Sequence, residues 1–178
     1  MFKKIIPAFL SVFLLSGCAS SVKVDHFGGQ QAFDKALVNP ETPILIGEFG
    51  TLNPNSAGGV NVQIQMINSS PKTIKYISFK LSPFNKVGDR TSDRITRRGR
   101  KSLRYIGPLE PGFTNAKKEL YGQNTTAGYW ENVWYNHSIA CATIDEVEVT
   151  YMDDTKVHIK DTTPLMTRDG KCRHFRYN

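Results

Sequence analysis

The feature that most constrains the fold is a two-residue alternation of apolar and polar side chains between positions 44 and 160. The clearest case is residues 60–66, where Val, Val, Ile and Met alternate with Asn61, Gln63 and Gln65. This period is typical of a strand with one buried face. Further strands are predicted to begin at Ile44 and to lie within 75–81, 90–105, 133–143, 146–151 and 156–159. About seven short strands separated by turn residues predict an all-β, antiparallel β-sandwich.

The N-terminus has a different pattern. Lys3 and Lys4 precede an apolar run at residues 5–15, which is about half the length of a transmembrane helix of about 20 residues. Such a run is typical of a signal peptide. No later stretch approaches transmembrane length, so we expect the rest of the chain to be a soluble domain on a tether.

The motif Leu15-Ser16-Gly17-Cys18 that follows resembles the bacterial lipobox. The resemblance implies removal of residues 1–17, acylation of Cys18 with diacylglycerol and palmitate, and membrane attachment through that lipid. Ala19, rather than Asp, follows the cysteine, which by the same resemblance implies sorting to the outer membrane in a Gram-negative cell, on its periplasmic or its surface face. The alternative is a simple secretory signal cut near Ala19, with Cys18 incidental.

The predicted organisation has four parts. Residues 1–17 are the signal peptide, and 18–41 are a lipid-anchored tether in which residues 31–38 are compatible with a short helix. Residues 42–162 form the β-sandwich, and 163–178 form a C-terminal tail.

Once Cys18 is assigned to lipid, two cysteines remain, Cys141 and Cys172. Outside the cytoplasm a leftover pair often forms a disulfide, and we expect one here. The alternative is a buried free thiol, because Cys141 lies in the apolar run Ile139-Ala140-Cys141-Ala142.

Several segments resemble a small immunoglobulin-like domain of bacterial surface proteins. They are NSAGGV at 55–60, KTIKYI at 72–77, PFNKVGD at 83–89, GP at 107–108, PG at 111–112, WENVWYN at 130–136 and VTYMD at 149–153. The resemblance covers roughly residues 42–160 and implies an immunoglobulin-like antiparallel β-sandwich that acts as a surface or envelope module. It offers no catalytic residues.

The sequence carries no recognised chemical motif. Cys-x-x-Cys, His-Glu-x-x-His, an EF-hand loop, Gly-x-Ser-x-Gly and a phosphate-binding Gly-Lys-Ser/Thr loop are all missing. We therefore expect no enzyme, no cofactor and no metal. A hydrolase whose catalytic residues converge only in space is the remaining alternative.

The net charge of +7 is concentrated in residues 86–104. Two acidic residues there, Asp89 and Asp93, stand against eight basic ones, which are Lys86, Arg90, Arg94, Arg97, Arg98, Arg100, Lys101 and Arg104. Such a cluster attracts anionic lipid, lipopolysaccharide phosphate or an acidic polymer. The candidate ligand-binding residues are Arg94, Arg97, Arg98, Arg100, Lys101 and Arg104. No nucleic acid is expected, because no aromatic residues interleave with the charges for stacking. The alternative is an edge hairpin whose charges prevent edge-to-edge pairing.

An aromatic group near the C-terminal third comprises Tyr121, Tyr129, Trp130, Trp134 and Tyr135. Exposed, it could stack on sugar rings, but a sandwich of this size also needs large core residues, and we favour a core role. The sequence as a whole predicts a non-catalytic envelope lipoprotein with an unknown protein or glycan partner, and a module that binds anionic ligands through residues 86–104 is the alternative.

Overall fold

A computed structural model gives the fold and describes residues 42–115 and 128–166. Its strands are β1 (Ile44–Thr51), β2 (Gly59–Asn68), β3 (Ile74–Phe84), β4 (Lys101–Leu109), β5 (Tyr129–Tyr135), β6 (Cys141–Tyr151) and β7 (Lys156–Ile159), followed by a 3₁₀ turn at Thr163–Leu165.

The strands form two antiparallel sheets, one in the order β1-β2-β5 and one in the order β4-β3-β6-β7. Apolar side chains from both sheets share a single core, in which Phe79 of β3 and Trp134 of β5 are fully buried. The predicted all-β sandwich is confirmed. Leu165, from the segment that the sequence assigns to the C-terminal tail, is also fully buried in this core.

Strand register defines two ends of the sandwich. Ile44 pairs with Asn68, and Ile74 pairs with both Leu109 and Tyr151, so residues 42–44, 68–74, 109–113 and 151–156 share one end, the proximal end. Phe84 pairs with Cys141, and residues 51–59, 84–101 and 135–141 lie at the opposite end, the cationic end. The chain enters the domain at the proximal end and carries its basic stretch at the other.

The single strand predicted over 133–143 is wrong, because β5 ends at Tyr135 and β6 begins at Cys141. Asn136 makes the break. Its side-chain carbonyl accepts hydrogen bonds from the Ser138 backbone N–H and hydroxyl, and its amide donates to Ser92 O. These side-chain bonds offer the backbone an alternative to the sheet ladder.

The strands predicted at 146–151 and 156–159 are confirmed, and they pair as β6 and β7 across a turn at Asp153-Asp154. Glu146 and Glu148 lie on the outer side of β6, and Val147 and Val149 are fully buried on its inner side. This is the alternation that the sequence predicts.

Candidate anion-binding site

The basic stretch folds mainly into the connection between β3 and β4, residues 85–100, which we call the cationic loop. Its first part is a tight turn in which Asn85 Oδ1 accepts hydrogen bonds from the backbone N–H groups of Val87 and Asp89. Its second part crosses the end of the other sheet, where Arg94 N–H donates to Tyr135 O at 2.9 Å. The loop therefore contacts both sheets.

A buried carboxylate organises the second part. Asp93 is only 2% exposed, and its Oδ1 accepts hydrogen bonds from the N–H groups of Ile95 (2.8 Å) and Thr96 (2.7 Å). Its Oδ2 lies 3.2 Å from Lys101 Nζ and accepts a longer bond from Tyr135 N–H at 3.4 Å. Burial by itself raises the pKa of Asp93, but the hydrogen bonds from Thr96, Lys101 and Ile95 together lower it below its ordinary value. The lowered pKa favours the ionised form of Asp93 in the folded loop at neutral pH.

Backbone hydrogen bonds close the segment between Asp93 and Arg98. Asp93 N–H donates to Arg98 O at 3.0 Å, and Arg97 N–H donates to Asp93 O at 2.8 Å. Arg97 takes a positive φ of 57°, a conformation that is uncommon for residues other than glycine. The closed turn carries three arginines within six residues, and their backbones are fixed relative to one another.

Two further side chains, one on β5 and one just after it, donate hydrogen bonds to the loop. Trp134, fully buried in β5, donates from Nε1 to Gly99 O at 2.7 Å. The amide of Asn136 donates to Thr91 Oγ1 and Ser92 O. The loop is thus hydrogen-bonded to β5 and to the residue that follows it at three places, 91–92, 93–94 and 99.

Five of the six candidate residues separate into two groups. Lys101 lies beside Asp93, and Arg100 Nε lies 3.2 Å from Asp145 Oδ2, so both contribute to structural ion pairs. Arg94, Arg97 and Arg98 are exposed, and no carboxylate of residues 42–115 or 128–166 lies within salt-bridge distance of them. These three are therefore available to an external anion.

The sixth candidate, Arg104, lies apart on β4, an edge strand of the four-stranded sheet, with its guanidinium 5.6 Å from the centre of the Tyr76 ring. This placement fits the alternative interpretation, in which a charge on an edge strand discourages pairing with another chain.

The strand predicted within residues 90–105 begins only at Lys101, and Ile95 instead lies in a turn held by Asp93, where the residue is 70% exposed. Val87, at the tip of the first turn, is 78% exposed. The cationic loop therefore presents apolar side chains to solvent next to its arginines.

The two tryptophans of the aromatic group belong to the core, as favoured. Trp134 is fully buried, and Trp130 packs edge-on against Phe79 with ring centres 6.2 Å apart. Tyr129 is more exposed, with its hydroxyl 2.5 Å from Asn61 Nδ2. Tyr121 lies outside the described residues.

The outer carboxylates of β6 take part in ion pairs. Glu146 contacts Lys80 at 2.7 Å and His158 at 3.0 Å, and their hydrogen bonds lower its pKa. Glu148 lies 3.2 Å from Lys156. A lowered pKa keeps Glu146 ionised, which is the opposite of what a general acid at neutral pH requires.

Of the predicted cysteine sites, Cys141 is buried at the start of β6, at the cationic end. Cys172 and the lipidation candidate Cys18 lie outside the described residues, as do the signal peptide and the tether with its short helix. The disulfide and the lipid remain predictions.

Within residues 42–115 and 128–166, no group of three or more His, Cys, Asp and Glu side chains is arranged to hold a metal ion. In the same part of the chain, no helix is both long and apolar enough to cross a bilayer. Comparisons of the chain with protein-family models, with curated proteins and with solved structures gave no match.

Proposed function

We propose that the chain is a non-catalytic lipoprotein of the cell envelope, anchored through acyl chains on Cys18, whose β-sandwich is a binding module. The lipobox supports the anchor. The strand order supports an immunoglobulin-like type of sandwich, because β1-β2-β5 facing β4-β3-β6-β7 differs from the constant-type arrangement, ABED facing CFG, only in the sheet that the fourth strand joins.

The observation that carries the binding role is the cationic loop. Arg94, Arg97 and Arg98 are exposed without carboxylate partners among the described residues, on a turn closed by the buried Asp93. Like charges this close repel one another, and a structure that fixes them together is suited to an external anion. Guanidinium groups match phosphate and carboxylate oxygens in a bidentate geometry. An anionic ligand, rather than a neutral glycan, is therefore the candidate that the loop favours.

The anchor is tested separately from the ligand. Mass spectrometry of detergent-extracted protein should show an acylated N-terminal Cys18 and loss of residues 1–17, while the Cys18→Ser variant should keep the signal peptide. An unmodified N-terminus at or after Ala19 would instead support the simple secretory signal.

The binding surface is tested by photo-cross-linking in cells. A photoreactive residue at Val87, on the cationic loop, is compared with one at Met152, at the proximal end, since both side chains are exposed and apolar (78% and 56%). We expect Val87 adducts that are lost when Arg94, Arg97 and Arg98 are replaced by alanine. Equal adducts from both positions, unchanged by the arginine substitutions, would remove the cationic loop from the proposal.

A further inference from the structure

The cationic loop exposes both basic and apolar side chains, and these two kinds of side chain favour different ligands. Ile95 lies inside the turn that carries Arg94 and Arg97, with 70% of its surface exposed. Val87 lies at the tip of the neighbouring turn, between Lys86 and Gly88, with 78% exposed. A soluble polyanion gains from the arginines alone, whereas a lipid surface gains from both the charges and the apolar tips.

The position of the apolar residues is set by the fold. Asp93 Oδ1 accepts from Ile95 N–H itself, so the backbone of Ile95 is fixed while its side chain remains outside. Asn85 Oδ1 fixes Val87 N–H in the same way. Anchored backbones that present unpacked apolar side chains at the end of a sandwich lose little conformational freedom on contact with a surface.

We propose, building on the proposed function, that the cationic end docks on the surface of an anionic phospholipid bilayer. In this arrangement Arg94, Arg97 and Arg98 contact lipid phosphates, and Ile95 and Val87 enter the interfacial region between head groups and acyl chains. The arginines favour anionic over neutral lipid. The exposed Ile95 and Val87 side chains favour a bilayer over a free phosphate ion.

The domain geometry allows this contact beside a lipid anchor. The cationic end lies one strand length from the proximal end, about 33 Å for the ten residues of β2. The residues between Cys18 and the start of β1 span at most about 90 Å when extended, so the predicted tether is long enough for the cationic end to reach a membrane.

The test uses residues 18–178 carrying C18S, so that no acyl chain contributes to binding. Co-sedimentation with vesicles of phosphatidylcholine containing phosphatidylglycerol should show binding that weakens steeply with salt, and vesicles of phosphatidylcholine alone should bind little. The triple variant R94A/R97A/R98A should lose on the order of 100-fold in affinity, since each cation near an anionic surface contributes about fivefold. The matched control K72A/K75A/K160A removes the same charge elsewhere and should lose less than about fivefold.

The apolar contribution is isolated by the double variant V87S/I95S, which leaves every charge in place. We expect about a tenfold loss on anionic vesicles and unchanged binding to inorganic polyphosphate in the same buffer. Circular dichroism and tryptophan emission confirm that each variant is folded.

Three outcomes would overturn lipid docking. The first is equal binding to neutral and anionic vesicles, and the second is unchanged vesicle binding by V87S/I95S. The third is binding to polyphosphate without binding to vesicles, which would leave the anionic-ligand candidate standing. If the protein with intact arginines bound no anion at all, that candidate would be removed as well. The mass of the N-terminal Cys18 residue tests the lipid anchor independently.

Discussion

The two ends of the sandwich differ in how their exposed basic side chains are paired with carboxylates. At the proximal end, Lys72 lies 2.7 Å from Asp153 and Lys75 lies 2.6 Å from Asp154, so each lysine has its own carboxylate. At the cationic end, the turn of Arg94, Arg97 and Arg98 has none among the described residues, and the one buried carboxylate, Asp93, is turned inward to Lys101 and to backbone N–H groups. The lysines of the proximal turn are thus neutralised, whereas these three arginines of the cationic end are not, although Arg100 and Lys101 beside them are paired.

This difference in charge pairing is accompanied by a difference in the contacts that hold the loops at each end. The hairpin of β6 and β7 closes with hydrogen bonds local to its turn, such as Tyr151 N–H to Thr155 O, and exposed ion pairs add little to it. The cationic loop has to hold repelling charges in place, and it does so with long-range contacts to Trp134, Asn136 and Tyr135. Substitutions at the two ends should therefore differ in size.

The largest expected effect is at Trp134. Trp134→Ala leaves a cavity in the core and removes the donor to Gly99 O, and we expect a loss of about 3–5 kcal/mol in the free energy of unfolding. Urea unfolding followed by far-ultraviolet circular dichroism measures it. Trp134→Phe keeps most of the buried volume but loses the hydrogen bond, so it should cost much less, about 1–2 kcal/mol. Equal losses in the two variants would mean that the bond to Gly99, rather than the core, carries the contribution.

A smaller effect, with a distinct pH dependence, is expected at Asp93. Asp93→Asn keeps an oxygen for Ile95 N–H and Thr96 N–H but loses the charge that faces Lys101, so we expect about 2 kcal/mol of destabilisation at pH 7. Because the folded-state pKa of Asp93 is lowered, the folded protein binds fewer protons than the unfolded chain. The contribution is full above the unfolded-state pKa, about 4, and is lost as the pH falls through the folded-state value.

Urea unfolding of the wild type and of D93N at pH 7, 5 and 3 measures this dependence, and the difference in stability between the two proteins should be smaller at pH 3 than at pH 7 and 5. Asp89→Asn is the matched control, since Asp89 is exposed in the same loop. If D89N and D93N changed stability equally at every pH, the buried carboxylate would have no special role.

The sandwich was predictable because a strand with one buried face alternates apolar and polar residues, so its buried positions can be identified from the sequence. The inner residues of β2, such as Val62 and Ile64, are fully buried, and the alternate residues Asn61 and Gln63 are not. The boundary at Asn136 was not predictable in the same way. The run Ile139-Ala140-Cys141-Ala142 does not alternate, and the bonds that end β5 reach Thr91 and Ser92, which are distant in sequence.

The candidate site was predictable in charge but not in geometry. The basic stretch is visible in the sequence, yet its division into paired and unpaired cations depends on Asp145 of β6 and on the inward turn of Asp93. A local signal existed in the order Asp93 to Gly99, since Asp and Gly favour turns. That signal outweighs the β-propensity of Ile95 once the carboxylate is buried.

The smallest expected effect is at the proximal end, where Lys72 is paired with Asp153. The hydrogen bond from Lys72, followed by those from Thr155, lowers the pKa of Asp153 to about 2. Lys72→Ala should raise that pKa toward the ordinary aspartate value of about 3.9, but only in part, because the Thr155 bonds remain. Carboxyl-carbon NMR titration measures the shift. The change in stability should be the smallest of the three, because both partners are half exposed.

Lys75→Ala is the control, since Lys75 contacts Asp154 and should leave the pKa of Asp153 unchanged. Added salt should reduce the effect of Lys72→Ala, because an exposed pair is screened, whereas the cost of Asp93→Asn should persist, because that carboxylate is buried. Similar salt dependence at both positions would mean that the two ends hold their charges by the same means, and the contrast between a neutralised end and an anchored cationic end would fail.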